Sequence, residues 1–369
     1  MRLEASKNFI MAVLNEAIMH GRSRVTIKAD LLGMDMVKLD LEDGAITWIA
    51  DRSDFDAVVP EMRMKIGDRR LGDDLPDYGD LRDALWSSLL IGPREFDQLI
   101  DEFRNVEKRR LDPYRHPKQL MLAIDTNLAY DRLLSRMTLL EEMCGRRGVD
   151  PSKIPVIIPS LVEEEISRSI GRKYRSWDIE LLEKALGTRL PCRILNCLCK
   201  RGRKAANAQA EIKIIEERYS TFIISGGEFT EDKEERDWEI VRSVSEFSNE
   251  HDNQVLFLTE DDKAMAHCSA FRIPCRGVKY EYDMPKRIEY DPWLLVEFLY
   301  DLAINFASIS FRGLGIKVLG TWPGKSIQDY PKERLCFCVE ENSELRRDLK
   351  RDHEILCSVG RSLDLKHIY

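Results

Sequence analysis

The sequence predicts an α/β protein: a central parallel sheet flanked by helices, with an N-terminal α+β domain before it and a small C-terminal α+β region after it. Three observations predict this. Continuous apolar runs at Gln119–Ile124, Ile154–Ile158 and Gln254–Leu258 have the composition of strands buried on both faces. Each run leads into a helical pattern, and strand–helix alternation of this kind builds a parallel sheet. The segments on either side read differently, with short alternating strands beside separate helices.

In chain order, Phe9, Val13, Leu14 and Ala17 recur at helical spacing. Alternating runs follow at Val25–Ile27, Val37–Leu41 and Ala45–Ile49, with Glu42-Asp43-Gly44 as a hairpin turn. Two helices are expected near Asp80–Leu90 and Pro93–Arg109. Residues 111–117, with two prolines, form a linker, which sets the domains at 1–117, 118–285 and 286–369. In the middle domain, helices are expected over Leu128–Met143, from Ser160, and over Asp262–Phe271, with a last short strand at Cys275–Val278. In the final region, Trp293–Phe311 carries apolar residues on one stripe, interrupted by Glu297 and Asp301, and reads as an amphipathic core helix rather than a membrane span. Strands at Ile316–Trp322 and Leu335–Val339 and a helix over Ser343–Val359 complete the chain.

The composition narrows the function. With 369 residues, 43% apolar and 33% charged, the chain is too hydrophobic for general disorder. A net charge of −8 excludes a uniformly basic DNA-coating protein, but not an enzyme with a local basic patch. No apolar signal segment is expected in Met1–His20, so the protein is expected to be cytoplasmic. The nine cysteines agree, being odd in number and scattered. Cys192, Cys197 and Cys199, and the pair Cys336 and Cys338, lack the spacing of a structural zinc site and read as buried thiols. His267 beside Cys268 reads as a coincidence on one helix face.

Charge is unevenly distributed in the middle domain. Ile166–Lys204 holds 11 Lys/Arg and 3 Asp/Glu, and Glu228–Asp262 holds 3 Lys/Arg and 13 Asp/Glu. Acids also stand where a parallel sheet builds its sites, beyond the carboxyl ends of the strands. Asp125 follows the first apolar run, Glu163-Glu164-Glu165 come one helical turn after the second, and Asp261-Asp262 follow the third. One such acid commonly caps a helix. Carboxylates converging from three strand ends repel one another unless a cation sits among them. Hard oxygen ligands without organised Cys or His favour Mg²⁺ or Mn²⁺.

On these residues the chain resembles the PIN-domain ribonucleases, over about Gln119–Val278. The family's opening strand ending in Asp-Thr-Asn matches Leu122-Ala123-Ile124-Asp125-Thr126-Asn127. Its strand, proline and Val-x-x-Glu-Ile pattern match Val156-Ile157-Ile158-Pro159 followed by Val162-Glu163-Glu164-Glu165-Ile166. Its late strand with Thr-x-Asp matches Leu256-Phe257-Leu258-Thr259-Glu260-Asp261. A further family acid falls on Asp237, within an acid-rich run that includes Glu231, Asp232, Glu234, Glu235 and Glu239. The stretch from Ile166 to Asp237 is longer than in small members of the family.

The resemblance implies a metal-dependent endoribonuclease. Asp125, Glu165, Asp237 and Asp261 would be the catalytic and metal-holding acids, binding Mg²⁺ or Mn²⁺ that activates water for in-line attack on a phosphodiester. Thr126, Asn127 and Thr259 would orient the carboxylates. Spacing selects Glu165 over Glu164 and Asp261 over Asp262. The implied partner is RNA, single-stranded, with a homo-oligomer left open. Arg168, Arg172 and Arg175, spaced by four and three residues, are expected on one face of the helix carrying Glu165, as RNA-backbone contacts or as a solvated face. The alternative function is a catalytically inactive PIN fold serving as an RNA-binding or scaffold protein. A phosphoryl-transfer or receiver-type domain is disfavoured, because no glycine-rich phosphate loop is present.

Overall fold

The computed structural model describes residues 1–112, 114–144, 149–186, 198–322 and 324–364. Pro113 of the expected linker, Cys192 and Cys197 lie outside them. The chain is α/β, with one five-stranded parallel sheet flanked by helices and one eight-stranded antiparallel sheet. It divides into two compact units. One comprises Ile91–Arg172 and Arg201–Tyr282, and the other Met1–Leu90, Lys173–Lys200 and Asp283–Tyr369.

The parallel-sheet unit opens with helix α1 (Phe96–Leu111), which packs against β1 (Leu120–Ile124). Every residue of β1 is buried, as is every residue of β2 (Pro155–Pro159). The edge strand β3 (Ser220–Ile224) leaves Phe222 and Ile223 exposed. β4 (Gln254–Thr259) and the short β5 (Cys275–Gly277) complete the sheet in the order β3-β2-β1-β4-β5, all parallel. The order runs one way from β1 through β2 to β3, and the other way through β4 and β5. The carboxyl ends of β1 and β4 therefore flank a switch point, where open sheets form crevices.

The helices of this unit are α2 (Thr126–Tyr130), α3 (Leu133–Cys144), α4 (Ser160–Ile170), α5 (Lys200–Arg218), α6 (Lys233–Glu250) and α7 (Asp262–Phe271). The single helix expected over Leu128–Met143 is two, α2 and α3, because the chain turns at Asp131-Arg132, where Arg132 has a positive φ of 55°. The long stretch between Ile166 and Asp237 contains a passage of the chain into the other unit (Lys173–Lys200), then α5 and β3.

The antiparallel unit differs from its expected layout. Its sheet joins Arg2–Ser6, Arg334–Val339, Ile316–Leu319, Ser308–Arg312, Arg24–Ala29, Met34–Asp40, Ala45–Ile49 and Ile288–Glu289, in that order. Strands from both ends of the chain share one sheet: Arg2–Ser6 pairs with Arg334–Val339, and Ser308–Arg312 with Arg24–Ala29. In place of separate N- and C-terminal regions there is one sheet, and residues 91–112, with α1, belong to the parallel-sheet unit. Such pairings join residues more than 250 positions apart, a relation that local periodicity does not carry.

The helix expected over Trp293–Phe311 ends at Asn305, and Ser308–Arg312 is a strand. Leu294 through Asn305 are all buried, so the helix is enclosed on every side rather than amphipathic. Its two acids have partners. Lys7 Nζ lies 2.6 Å from Glu297 Oε1, and Ser87 Oγ donates to Asp301 Oδ2 at 2.7 Å. Buried charges are retained when paired in this way. Among the described residues, no helix is long and apolar enough to cross a membrane.

Candidate metal centre

Four acids from four elements meet at the switch point. Asp125 directly follows β1, Glu165 lies on α4, Asp237 on α6, and Asp261 follows β4. All four line one small cleft, together with Thr126, Asn127, Lys233, Ile240, Phe257 and Ala264.

The local folding of each position follows from its sequence. Asp125 caps α2, its Oδ1 accepting from the Leu128 amide at 3.0 Å. Its Oδ2 accepts from the Thr259 hydroxyl, and Thr259 itself is fully buried. Asp261 likewise caps α7, its Oδ1 accepting from the Lys263 amide at 2.9 Å, while the Asp261 amide donates to Thr259 Oγ1 at 3.0 Å. Thr259 thus ties the ends of β1 and β4 together. The capping reading and the site reading hold at once, because one carboxylate oxygen serves the helix while the residue still lines the cleft. Asp262 opens α7, and its carboxylate turns to Lys279 Nζ at 2.6 Å.

Glu165 is held from two sides. Thr126 Oγ1 donates to its Oε2 at 2.8 Å, and Arg236 Nη2 to its Oε1 at 3.0 Å. Arg236 is buried, donates also to the Thr230 carbonyl at 2.9 Å, and lies over the Phe229 ring. Glu164 is instead partly exposed and paired with Arg168 at 2.7 Å, and of these two neighbours only Glu165 lines the cleft. The acids around Asp237 are engaged elsewhere. Asp232 caps α6, Glu234 pairs with Lys263, Glu231 with Arg168 and Glu239 with Arg242, and Glu235 accepts from Thr230.

The electrostatics fit a convergent acidic cluster. Burial pushes the Asp125 carboxyl up to about 6, against the hydrogen bonds from Thr259 and Leu128 and with the charges of Asp131 and Asp237 adding to the rise. Burial also raises Asp237, where Lys233 opposes and Asp261 and Glu165 reinforce the shift. At Asp261 burial works in the same direction but is outweighed by the Lys263 amide and by Lys233, so its pKa lies below the usual carboxylate value. At Asp125 and Asp237 the rise is first an effect of burial, with neighbouring carboxylates adding to it. The donor set is hard oxygen, which suits Mg²⁺ or Mn²⁺. Their oxygens are spread: among the described residues no three of the four bring ligand atoms within 4.8 Å of one another. The group that does so, Glu16, His20 and Asp348, lies in the other unit, and Arg351 already pairs with both of its acids.

The arginine face does not form as expected. The helix carrying Glu165 ends at Ile170 with Gly171 as its C-cap, so Arg172 and Arg175 lie beyond it and share no helical face with Arg168. Lys173 bridges to Leu198, and Arg175 precedes a helix, Ser176–Leu186, of the other unit. Arg168 packs 3.7 Å over the Phe229 ring and pairs with Glu164 and Glu231. Sequence reasoning also passed over Arg236 and Lys233. The signal for Lys233 was its position four residues before Asp237 on a helix, which puts both on one face.

Comparison with protein-family models, curated proteins and solved structures finds no match to this chain.

Proposed function

We propose that the parallel-sheet unit is a PIN-type nuclease, an endoribonuclease that depends on Mg²⁺ or Mn²⁺ and acts on single-stranded RNA. The observation that carries this reading is the convergence of Asp125, Glu165, Asp237 and Asp261 on one cleft at the switch point of the sheet. The resemblance of the three motifs supports it, since they pick out Asp125, Glu165 and Asp261, and the cleft adds Asp237, which the family pattern placed only within an acid-rich run.

Asp125, Glu165, Asp237 and Asp261 would hold the ion or ions. When bound, a divalent ion supplies a more acidic water and charge stabilisation for phosphodiester hydrolysis. The chain's own groups orient the donors. Thr259 fixes the rotamer of Asp125, and Thr126 and Arg236 together fix both oxygens of Glu165. Such partners tune a site that the carboxylates form. No side-chain nucleophile is required.

The test is cleavage of single-stranded RNA by the purified full chain with Mn²⁺ or Mg²⁺. Cleavage is expected with either ion and none in EDTA. Cleavage that persists in chelator sinks the mechanism, and RNA binding without cleavage at any metal concentration would return the protein to the scaffold reading. Neighbouring glutamates provide a sharper comparison. Glu165→Gln is expected to slow cleavage by on the order of 10²-fold or more, as loss of a donor within a metal site does. Glu164→Gln removes only an exposed pair with Arg168 and should leave the rate within about twofold. Equal rates for the two variants would show that the wrong glutamate has been chosen.

A further inference from the structure

The cleft contains a cation of the chain's own. Lys233 opens α6 one turn before Asp237, and its Nζ donates to Asp261 Oδ2 at 3.1 Å. Other basic residues nearby are committed outward or locked. Lys263 pairs with Glu234, Lys279 with Asp262, and Arg236 is buried between Glu165 and the Thr230 carbonyl. Lys233 is the one of these four that lines the cleft. Its side chain is also 65% exposed, so the ammonium can leave on its flexible stem without opening the fold.

The ammonium already stands against Asp261 inside the cleft, and among the described residues no three of the four acids bring ligand oxygens within 4.8 Å of one another. A divalent ion placed against Asp261 would meet the positive charge of Lys233 at a few ångströms. That repulsion opposes binding at Asp261.

We propose that Lys233 is a displaceable counter-ion, which neutralises the carboxylate cluster in the metal-free protein and must leave Asp261 before a divalent ion can bind there. This rests on the metal-site reading and adds a threshold to it. The lysine weakens metal binding until the divalent concentration, or a group that draws the ammonium away, overcomes it. Lys233 is a positioning residue in this scheme, acting through Asp261.

The test is the affinity of the full chain for Mn²⁺ alone, without RNA, measured by calorimetric titration. Lys233→Met keeps most of the stem and removes the charge. It should bind Mn²⁺ about tenfold more tightly than the parent, the scale expected for removing one like charge near a partly exposed site. Lys233→Arg keeps the charge and should stay near the parent affinity. A purely structural role for the lysine predicts the opposite sign, weaker binding in the methionine variant. Unchanged or weaker Mn²⁺ binding by Lys233→Met overturns the counter-ion proposal and leaves the metal-site reading standing, provided Asp261→Asn abolishes binding. Saturable binding absent from the parent and from Lys233→Met alike overturns both.

Discussion

Asp125→Asn is expected to abolish RNA cleavage, by on the order of 10³-fold or more, while making the metal-free protein more stable. The two effects have one cause. Asp125 sits 7% exposed at the switch point, and its carboxyl is pushed up to about 6. An acid whose folded pKa lies above its unfolded value contributes stability that is fully present below the unfolded pKa, near 3.8, and is lost as pH rises through 6. At neutral pH the ionised group therefore costs the metal-free fold about 3 kcal/mol, an order-of-magnitude figure that the asparagine escapes. The amide keeps a carbonyl oxygen to accept from the Leu128 amide, and the Thr259 hydroxyl can rotate to accept from its NH₂. Urea melts in EDTA should show the variant more stable than the parent at pH 7, with the gap closing towards pH 4. Added Mn²⁺ should stabilise the parent and not the variant. A variant that cuts RNA at the parent rate removes Asp125 from the site, and a gap that does not change with pH removes the electrostatic account.

Gly320→Ala should be the most damaging single substitution away from the cleft. Gly320 follows the strand Ile316–Leu319, and its amide donates to the Ala307 carbonyl at 2.9 Å. A Cβ there would lie 2.0 Å from the Ala303 carbonyl oxygen and 2.4 Å from its carbon. Those atoms are backbone of the enclosed helix Pro292–Asn305, which has no empty side to move into. Overpacking against immovable backbone belongs with the rare substitutions costing more than about 4 kcal/mol. The variant is expected to be insoluble or to lose the cooperative unfolding of the antiparallel unit. A urea midpoint close to the parent's would refute the close approach.

How much of this was legible in advance depended on the range of the information. β1, β2 and β4 announce themselves because strands covered on both faces must be apolar at every position, and that leaves a continuous run. β3 was missed because it is an edge strand: Phe222 and Ile223 are exposed, and Ser220 and Thr221 lead it. Arg2–Ser6 was missed because its partner, Arg334–Val339, lies at the other end of the chain. The arginine face was misread because spacings of four and three were carried past Gly171, where the helix stops.

At the site the same division holds. The sequence by itself determined which acids stand beyond strand ends, and the family pattern it resembles, Val-x-x-Glu-Ile from Val162, favoured Glu165 over Glu164. Those are relations within a few residues, set by the geometry of one strand or one turn. Only the tertiary structure decided that Asp237 enters the cleft while its acidic neighbours turn to Arg168, Lys263 and Arg242, that Arg236 is buried to hold Glu165, and that Lys233 points in rather than out. A charged side chain in an acid-rich run carries no local mark of its partner. Its direction depends on which opposite charge the packing of other elements brings within a few ångströms, and on which alternative leaves no charge buried alone.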